Sequence, residues 1–379
     1  HLSVHPALWY ANCSMTPSGR SMSQPVLLNR LNEEVGIELH LFKNHPEEID
    51  LIDFDYEHYS LDVPNVKIRG HTALWITQHK LRKRWRDYLK EHLSSDFDLV
   101  IGMNNVATAA ADAANAYDIP SLFFIRNLAV SGQEQYSPNR GHLANFKAGD
   151  FGAKVQYPFF VKNFNEYRRG MAKANRVIAN SEYVSQRLED DFEVKSDVIY
   201  PPINLDEYKV KHNKQGYIAA TNPRNRDKGV DIFLDLVESM PDEQFMCAGV
   251  FRDSSFKKRA EELSNINHIG YCNDMREFYT KTQIVLVPSR WNEAFGRSAA
   301  EPMASGIPVV VSDRGGLPEV VGETGEVVTN IESVDAWKQA IEAALENHNP
   351  ESQKERVRRF SAKTQGDKLN RIVSEIIDD

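Results

Sequence analysis

Cysteine is scarce in this chain: there are three in 379 residues, and Cys13, Cys247 and Cys272 share no Cys-x-x-Cys spacing. The odd number and the spacing argue against a disulfide framework or a zinc site. They fit a reducing compartment, so a cytoplasmic protein is expected. Long apolar runs are missing as well. No stretch of 18 apolar residues could cross a bilayer, and no basic-then-apolar leader of the secretory kind is present. The chain opens on His1 rather than Met, so an upstream segment is expected to have been removed. Positive charge is short: 45 Lys and Arg face 54 Asp and Glu, a formal charge of -9, which argues against a nucleic-acid partner. There is no His-Glu-x-x-His, no P-loop, no Gly-x-Gly-x-x-Gly and no convincing Ser-His-Asp or Cys-His set. No repeat or low-complexity segment is evident.

What is present is alternation. In the first half, 37–42, 98–101, 121–125 and 177–179 read as strands, with 107–117 and 183–190 among the helices between them. In the second half, 216–220, 245–248, 266–269, 284–287 and 308–312 read as strands separated by helical stretches. In the helix 230–240, Val230, Phe233, Leu234 and Val237 form one apolar face at the 3.6 period. Strands separated by helices imply α/β architecture with parallel sheets covered on both faces. The hinge is expected at Tyr200-Pro-Pro-Ile-Asn-Leu-Asp206, where two prolines forbid a central strand or a helix interior. The tail 352–379 carries Phe360, Leu369, Ile372, Val373, Ile376 and Ile377 at helical spacing.

Two carboxylates stand out, Glu293 and Glu301. They bracket a turn that enters a helix, after the buried run Ile284-Val-Leu-Val287 and before the strand at 308–312. Ligands of open parallel sheets bind at the carboxyl ends of strands, so a polar loop there is the expected place for chemistry. If the segment between them were fully helical, the two carboxylates would lie about 80° apart and about 12 Å along the axis. Pro302 follows the second Glu and removes the bond to the Ser298 carbonyl, so this helix must be kinked or short.

The surrounding segments, Pro288-Ser289, Glu293-Ala-Phe-Gly296, Glu301-Pro-Met-Ala-Ser-Gly306, Ile307-Pro308-Val309 and Arg314-Gly-Gly-Leu-Pro-Glu319, follow one another in the order of a donor-site signature. This run resembles that of the retaining glycosyltransferases of family 4, the glycosyl transferases group 1. Upstream, 176–184 and 198–204 are similar to that family's last strand of the first domain and its hinge, and Asn222-Pro-Arg-Asn-Arg-Asp-Lys-Gly229 to its diphosphate-binding loop. The resemblance covers about 175–345 and is thin before that. It implies the GT-B architecture: two Rossmann-like domains facing a central cleft, at 1–200 on the acceptor side and 201–351 on the donor side. A terminal helix at 352–379 would cross back onto the first domain.

The resemblance also implies roles. Glu301 would hold the ribose diol of a nucleotide sugar, since one ionised carboxylate accepts two hydrogen bonds. Glu293 would meet the transferred sugar, and the segment Ala294, Phe295, Gly296 and Arg297 would present amides at a helix start. Ser289 and Tyr271 complete the donor side. Arg224 and Lys228, with Arg226 as a substitute, would balance the charge of the departing diphosphate. The family spaces its Arg and Lys by five, and Pro223 stands there here, so Arg224 serves only if the loop is shifted. On the acceptor side Gly19 and Arg20 occupy the place of a glycine-rich phosphate loop, or form a plain surface turn. Arg126 and Asn127 stand where family members often carry a histidine, so no histidine is carried over. The polar stretch 128–167 would line the acceptor cleft as loops and short helices.

The expected reaction is retaining transfer from a nucleotide sugar to a hydroxyl acceptor, whether glycan, lipid-linked or small molecule. UDP- or GDP-sugar is the expected donor, with no cofactor and no metal. Asp53-Phe-Asp55 and Asp96-Phe-Asp98 match the Asp-x-Asp of metal-dependent enzymes of another fold, yet 96–101 reads better as a turn entering a strand. The basic segment 75–93, with Trp75, Leu81, Trp85, Tyr88 and Leu89 on one side, either lies on anionic membrane or packs its stripe into the core. Two rivals remain: a reaction such as sugar-nucleotide epimerisation on the same fold, or a degenerate protein that binds sugar nucleotide or a partner chain. A phosphorylase would need a pyridoxal-phosphate lysine site, for which there is no signature.

Overall fold

A computed structural model of the chain describes residues 7–11, 23–35, 38–43, 53–60, 66–68, 71–72, 74–103, 106–128, 144, 146–147, 151–272 and 274–378. The chain divides into two compact units, His1–Tyr200 with Gln365–Asp379, and Pro201–Thr364.

In the first unit seven parallel strands lie in the order Tyr56–Ser60, Glu38–Lys43, Ala7–Ala11, Leu99–Met103, Ser121–Ile125, Arg176–Ala179 and Asp197–Val198. The central strands Leu99–Met103 and Ser121–Ile125 are buried along their whole length, as parallel strands covered on both faces must be. Residues 94–98 form the turn read from Asp96-Phe-Asp98, where the Ser94 hydroxyl donates to the Asp96 carboxylate at 3.0 Å.

One helix of this unit differs from expectation, and a second follows one of the two readings its sequence allowed. Within 128–167, expected as loops and short helices, residues from 151 onward belong to one helix, Phe151–Met171. Gly and Pro suggested breaks, but Phe160, Phe164, Tyr167 and Met171 are spaced at helical intervals and buried, and that stripe outweighs the bond lost at Pro158. The basic segment forms the helix Leu74–His92, and Leu81, Trp85 and Leu89 of its apolar stripe are spent inside the unit. Leu81, Trp85 and Leu89 are buried against Val100, Ala109, Ala110 and Ala113. Arg82, fully buried, donates to Glu166 at 2.8 Å, and Arg86 donates to Asp112 at 2.8 Å. Membrane contact here would thus rest on the exposed Lys80, Lys83 and Arg84, without insertion of the described apolar side chains. No helix among the described residues is long and apolar enough to cross a membrane.

The second unit is a six-stranded parallel sheet in the order Ile266–Gly270, Phe245–Ala248, Tyr217–Thr221, Thr282–Val287, Val309–Ser312 and Glu326–Val328. Numbered within the unit this is 3-2-1-4-5-6, the doubly wound order. Its first and fourth strands are neighbours, with Ala220 paired to Leu286. The chain leaves the first strand toward one edge and the fourth toward the other, so a crevice opens at their carboxyl ends. The helix Val230–Ser239 packs on this sheet through Val230, Phe233, Leu234 and Val237, all 0% exposed, as its period predicts.

The tail expected as one helix is two. Pro350–Arg358 stays with the second unit, where Phe360 stacks edge-on against Phe295 with centroids 5.0 Å apart. Ala362–Asp378 follows, and from Gln365 it belongs to the first unit. There Leu369, Ile372 and Val373 join the core of Leu27, Leu28, Leu31 and Leu39, while Ile377 is exposed.

Candidate functional site

Both loops at the switch point of the second unit carry the charged residues singled out in the sequence. After Tyr217–Thr221 comes a loop ending in the short 3-10 turn Arg226–Lys228, closed by Gly229 in the left-handed region at φ 70. A side chain there would collide with the Pro288 carbonyl oxygen at 1.8 Å, so only glycine lets this loop lie against the one that follows the fourth strand. The two loops are then tied by backbone: the Arg290 and Trp291 amides both donate to the Asp227 carbonyl, at 2.8 and 3.0 Å.

This places the Lys228 ammonium on the Glu293 carboxylate in an ion pair, both side chains about one-fifth exposed. Ser289, 1% exposed, has three acceptors in reach: the Glu293 carboxylate at 3.0 Å, the Trp291 carbonyl at 3.1 Å and the Asp227 carbonyl at 3.2 Å. With one proton, it can donate to only one of them at a time. The backbone of Glu293 is held from its other side. It forms a parallel bridge with Gly315, and the Gly316 amide donates to its carbonyl at 2.7 Å. Gly315 has φ 63, and a Cβ there would meet the Glu293 carbonyl oxygen at 2.1 Å.

The other two cations differ. Arg226 is exposed and donates to Asp231 at 3.1 Å, away from Glu293. Arg224 is half-buried, with its carbonyl bound by the Arg252 amide at 2.8 Å. Lys228 is therefore the cation of this loop that the described contacts bring to Glu293. A brace unforeseen in the sequence stands behind: Arg290 reaches Asp231 at 2.5 Å and grips both Glu332 oxygens at 2.8 and 2.7 Å. The Arg290 contact holds the Asp231 carboxyl below its ordinary range, although burial alone would raise it.

Glu301 lies on a separate element, the helix Arg297–Met303, capped by Gly296 at φ 120. The turn entering a short helix that the sequence indicated is what the structure shows, so the fully helical spacing does not apply. The turn holding Glu293 bridges to Gly315 instead, and the helix begins only at Arg297. Pro302 leaves it short, because the chain closes with three-residue bonds such as Gly306 to Met303 at 2.9 Å. Arg297 Nε donates to Glu301 Oε1 at 2.9 Å, one turn away, and the Tyr279 hydroxyl donates to Glu301 Oε2 at 3.2 Å. Burial, then the Glu301 carboxylate, push the neighbouring Tyr208 phenol up to about 12, and the fully buried Tyr279 rises well above its ordinary value for the same reasons. Both therefore remain neutral. The Glu301 carboxylate keeps further acceptor sites, since each oxygen takes more than one bond.

Of the remaining donor-side residues, Phe295 is 4% exposed and spends its ring on Phe360. Its side chain is core, and only its backbone stays available to the expected role. Tyr271 follows the edge strand Ile266–Gly270 and is 71% exposed, beside Val250 at 63% on the adjoining loop. Arg126 and Asn127 follow Ser121–Ile125 in the first unit, where the Arg126 carbonyl accepts from Asn180 at 3.0 Å. Gly19 and Arg20 lie outside the described residues. Asp53 and Asp55 are exposed in the first unit, and among the described residues no three His, Cys, Asp or Glu gather to hold a metal ion.

Tyr208, Tyr279 and Glu332 escaped the sequence reading because each lies in a stretch with no local pattern, and Arg290, next to Ser289, because its partners Asp231 and Glu332 are distant in sequence. Gly315 and Gly316 had a signal, the Arg-Gly-Gly-Leu-Pro-Glu run, whose use as a backbone clamp is visible only in three dimensions.

Comparison with known proteins places this arrangement. The model for Glycosyltransferase Family 4 matches residues 27–207, and the model for glycosyl transferases group 1 matches 205–364. Spore coat protein SA of Bacillus subtilis is 23% identical over 224 residues, 49% of this chain and 59% of that protein. The D-inositol 3-phosphate glycosyltransferase of Mycobacterium marinum is 25% identical over 203 residues, 46% of this chain and 43% of that protein. The alignments thus span less than two thirds of these relatives. Among solved structures, the sucrose-phosphate synthase of Thermosynechococcus elongatus superposes with a TM-score of 0.74 at 15% identity, covering 98% of this chain and 99% of that one. Anabaena HepE, solved in complex with UDP and glucose, gives 0.69 at 16%, covering 98% and 100%. With adjoining matches over both halves and the GT-B fold, the chain belongs to the family 4 glycosyltransferases.

Proposed function

We propose that this protein is a retaining glycosyltransferase that moves a sugar from a nucleotide-sugar donor to a hydroxyl acceptor. The observation that carries the reading is the Lys228–Glu293 pair, buttressed by Ser289 at the switch point of the second sheet. In this reading a donor diphosphate draws the Lys228 ammonium from Glu293, because a multiply charged group competes well against one carboxylate. Arg224 adds a second cation. The bond between the anomeric carbon and the phosphate oxygen breaks with its electron pair going to phosphate, and Lys228 offsets the charge that grows there. The acceptor oxygen bonds the same face of the sugar, and its proton passes to the departing phosphate. No protein nucleophile enters.

Glu293, released, meets the hydroxyls of the sugar. Glu301, oriented by Arg297 and Tyr279, takes the ribose diol, and the exposed Tyr271 and Val250 offer apolar surface to the base. Metal independence is part of the proposal, with fixed cations serving the leaving group. HepE, of the same fold, was solved with UDP and with UDP-glucose, so a UDP-sugar is our first candidate donor, ahead of a GDP-sugar. The acceptor is a glycan, a lipid-linked sugar or a small molecule, with Arg126, Asn127, Gly19 and Arg20 as its contacts.

The test is a thermal-shift panel of UDP, GDP, ADP and their sugars in EDTA, followed by donor hydrolysis. Ligand raises stability by an amount set by its affinity, about 2.7 kcal/mol at a hundredfold excess over Kd. One nucleotide and its sugar should stabilise the protein in EDTA and be slowly turned over. No stabilisation by any of them ends the donor reading; a requirement for Mg or Mn ends metal independence.

A further inference from the structure

The second unit holds a cavity of about 530 Å³ at the end of helix Arg297–Met303 that lies away from Gly296. Four cations line it, Lys209, Lys354, Arg358 and Lys363, against one acid, Asp206, while Ser305 lies in its wall. A surplus of three positive charges on one cavity is notable in a chain whose formal charge is -9. The carboxylates paired with Lys354 and Arg358 are Glu351 and Glu355, and neither lines the cavity. Both are largely exposed, at 81% and 68%, so these are solvent-facing pairs that contribute little and exchange readily for a better anion. The volume suits a molecule of sugar-phosphate size.

The cavity wall also touches the residues around Glu301. Ser305 donates to the Tyr208 carbonyl and accepts from the Val210 amide at 3.1 Å, fixing the segment that carries Lys209. The phenol of the same Tyr208 bonds Arg297, which holds Glu301. Seven residues of helix, about 10 Å, therefore separate this cavity from the turn at Gly296.

We propose that this basic cavity is a second ligand site, distinct from the Lys228–Glu293 group, that takes a small phosphate-bearing molecule and is linked through Tyr208 to Glu301. The existence of the site is independent of the donor reading; only the link rests on it.

Inorganic pyrophosphate is the probe, titrated calorimetrically into the full chain, into Lys228→Ala and into the double variant Lys354→Ala/Arg358→Ala. Both lysine and arginine are exposed enough to be removed without unfolding, which a melting curve checks. Two binding events are expected in the parent, one lost in Lys228→Ala and the other weakened about tenfold or more in the double variant, since each charge-assisted bond is strong. A double variant that weakens no event overturns the site, whereas a single event lost in the double variant and kept in Lys228→Ala supports it and tells against the donor reading. If the single event vanishes in Lys228→Ala, the donor reading survives while this one fails. The link is read from UDP affinity with and without pyrophosphate. Competition at Lys228 lowers it equally in the parent and the double variant, so a larger or smaller ratio in the parent supports the link and equal ratios remove it.

Discussion

The Lys228 ammonium and the Glu293 carboxylate, 65 positions apart, meet because the strands that precede them are neighbours at the place in this parallel sheet where the strand order reverses. Neither residue is special alone. Their meeting is the product of strand order, of Gly229 letting one loop lie on Pro288, and of Gly315 holding the backbone of Glu293.

Removing Lys228 should therefore cost turnover far more than stability. Lys228→Ala is expected to lower kcat/KM for the donor by about a hundredfold or more, the usual loss when a fixed charge at a developing anion is deleted. Melting should move little, because the side chain is part-exposed and Glu293 gains water. Donor kinetics and a melting curve on one preparation check this, and undiminished turnover takes Lys228 out of the site.

The Glu301 network predicts a split between binding and chemistry. Glu301→Ala should raise the donor KM about tenfold, from the loss of charge-assisted bonds to the diol. Tyr279→Phe keeps the ring in its buried place and deletes only the hydroxyl at 3.2 Å from Glu301, so KM should rise by less while kcat holds. If Glu301→Ala leaves KM alone, the ribose role fails. If only Tyr279→Phe is silent, the tyrosine does not position the carboxylate.

A third prediction concerns backbone. Gly315→Ala forces a side chain into a left-handed position 2.1 Å from the Glu293 carbonyl oxygen, so something must move. Strain of this kind costs about 1 to 3 kcal/mol. Activity should fall beyond what the lowered melting point explains, since the displaced atom belongs to Glu293. Full activity at reduced stability would show that Glu293 tolerates the shift.

The second unit should also weaken in mild acid. His212 and His348 meet edge to face with centroids 5.5 Å apart. Burial lowers both from the ordinary 6.5, and His212 lowers His348 further. A folded pKa below the unfolded one means the unfolded chain takes up protons first, so this stability is complete above about pH 6.5 and is lost as pH falls through the folded values. His348→Gln should flatten that part of the stability curve. Denaturant unfolding between about pH 7.5 and 5 measures it, and an equal slope in both proteins would clear the pair.

Much of the second unit was legible because its strands are short apolar runs set off by Gly, Pro and charge, and its loops carry the Glu293 and Glu301 motifs in readable order. The first unit was harder. The strand Tyr56–Ser60 is mixed in polarity, and Pro158 obscured a helix whose buried stripe of Phe160, Phe164, Tyr167 and Met171 overrides it. The two Glu residues also showed the limit of local pattern. The sequence set Glu293 in a turn before a short helix, while the pairing of its backbone to Gly315 is visible only in the fold.

By itself, then, the sequence determined the family, the candidate site residues and which segments bury themselves, because charge, apolar period and proline act locally. Only the tertiary structure decided which cation meets which carboxylate. Lys228 rather than Arg226 reaches Glu293, Phe295 turns to Phe360, and Tyr279 and Tyr208 close on Glu301 and Arg297. Those choices follow from strand order and from close approaches at single glycines, which couple distant segments and leave no trace in any one of them.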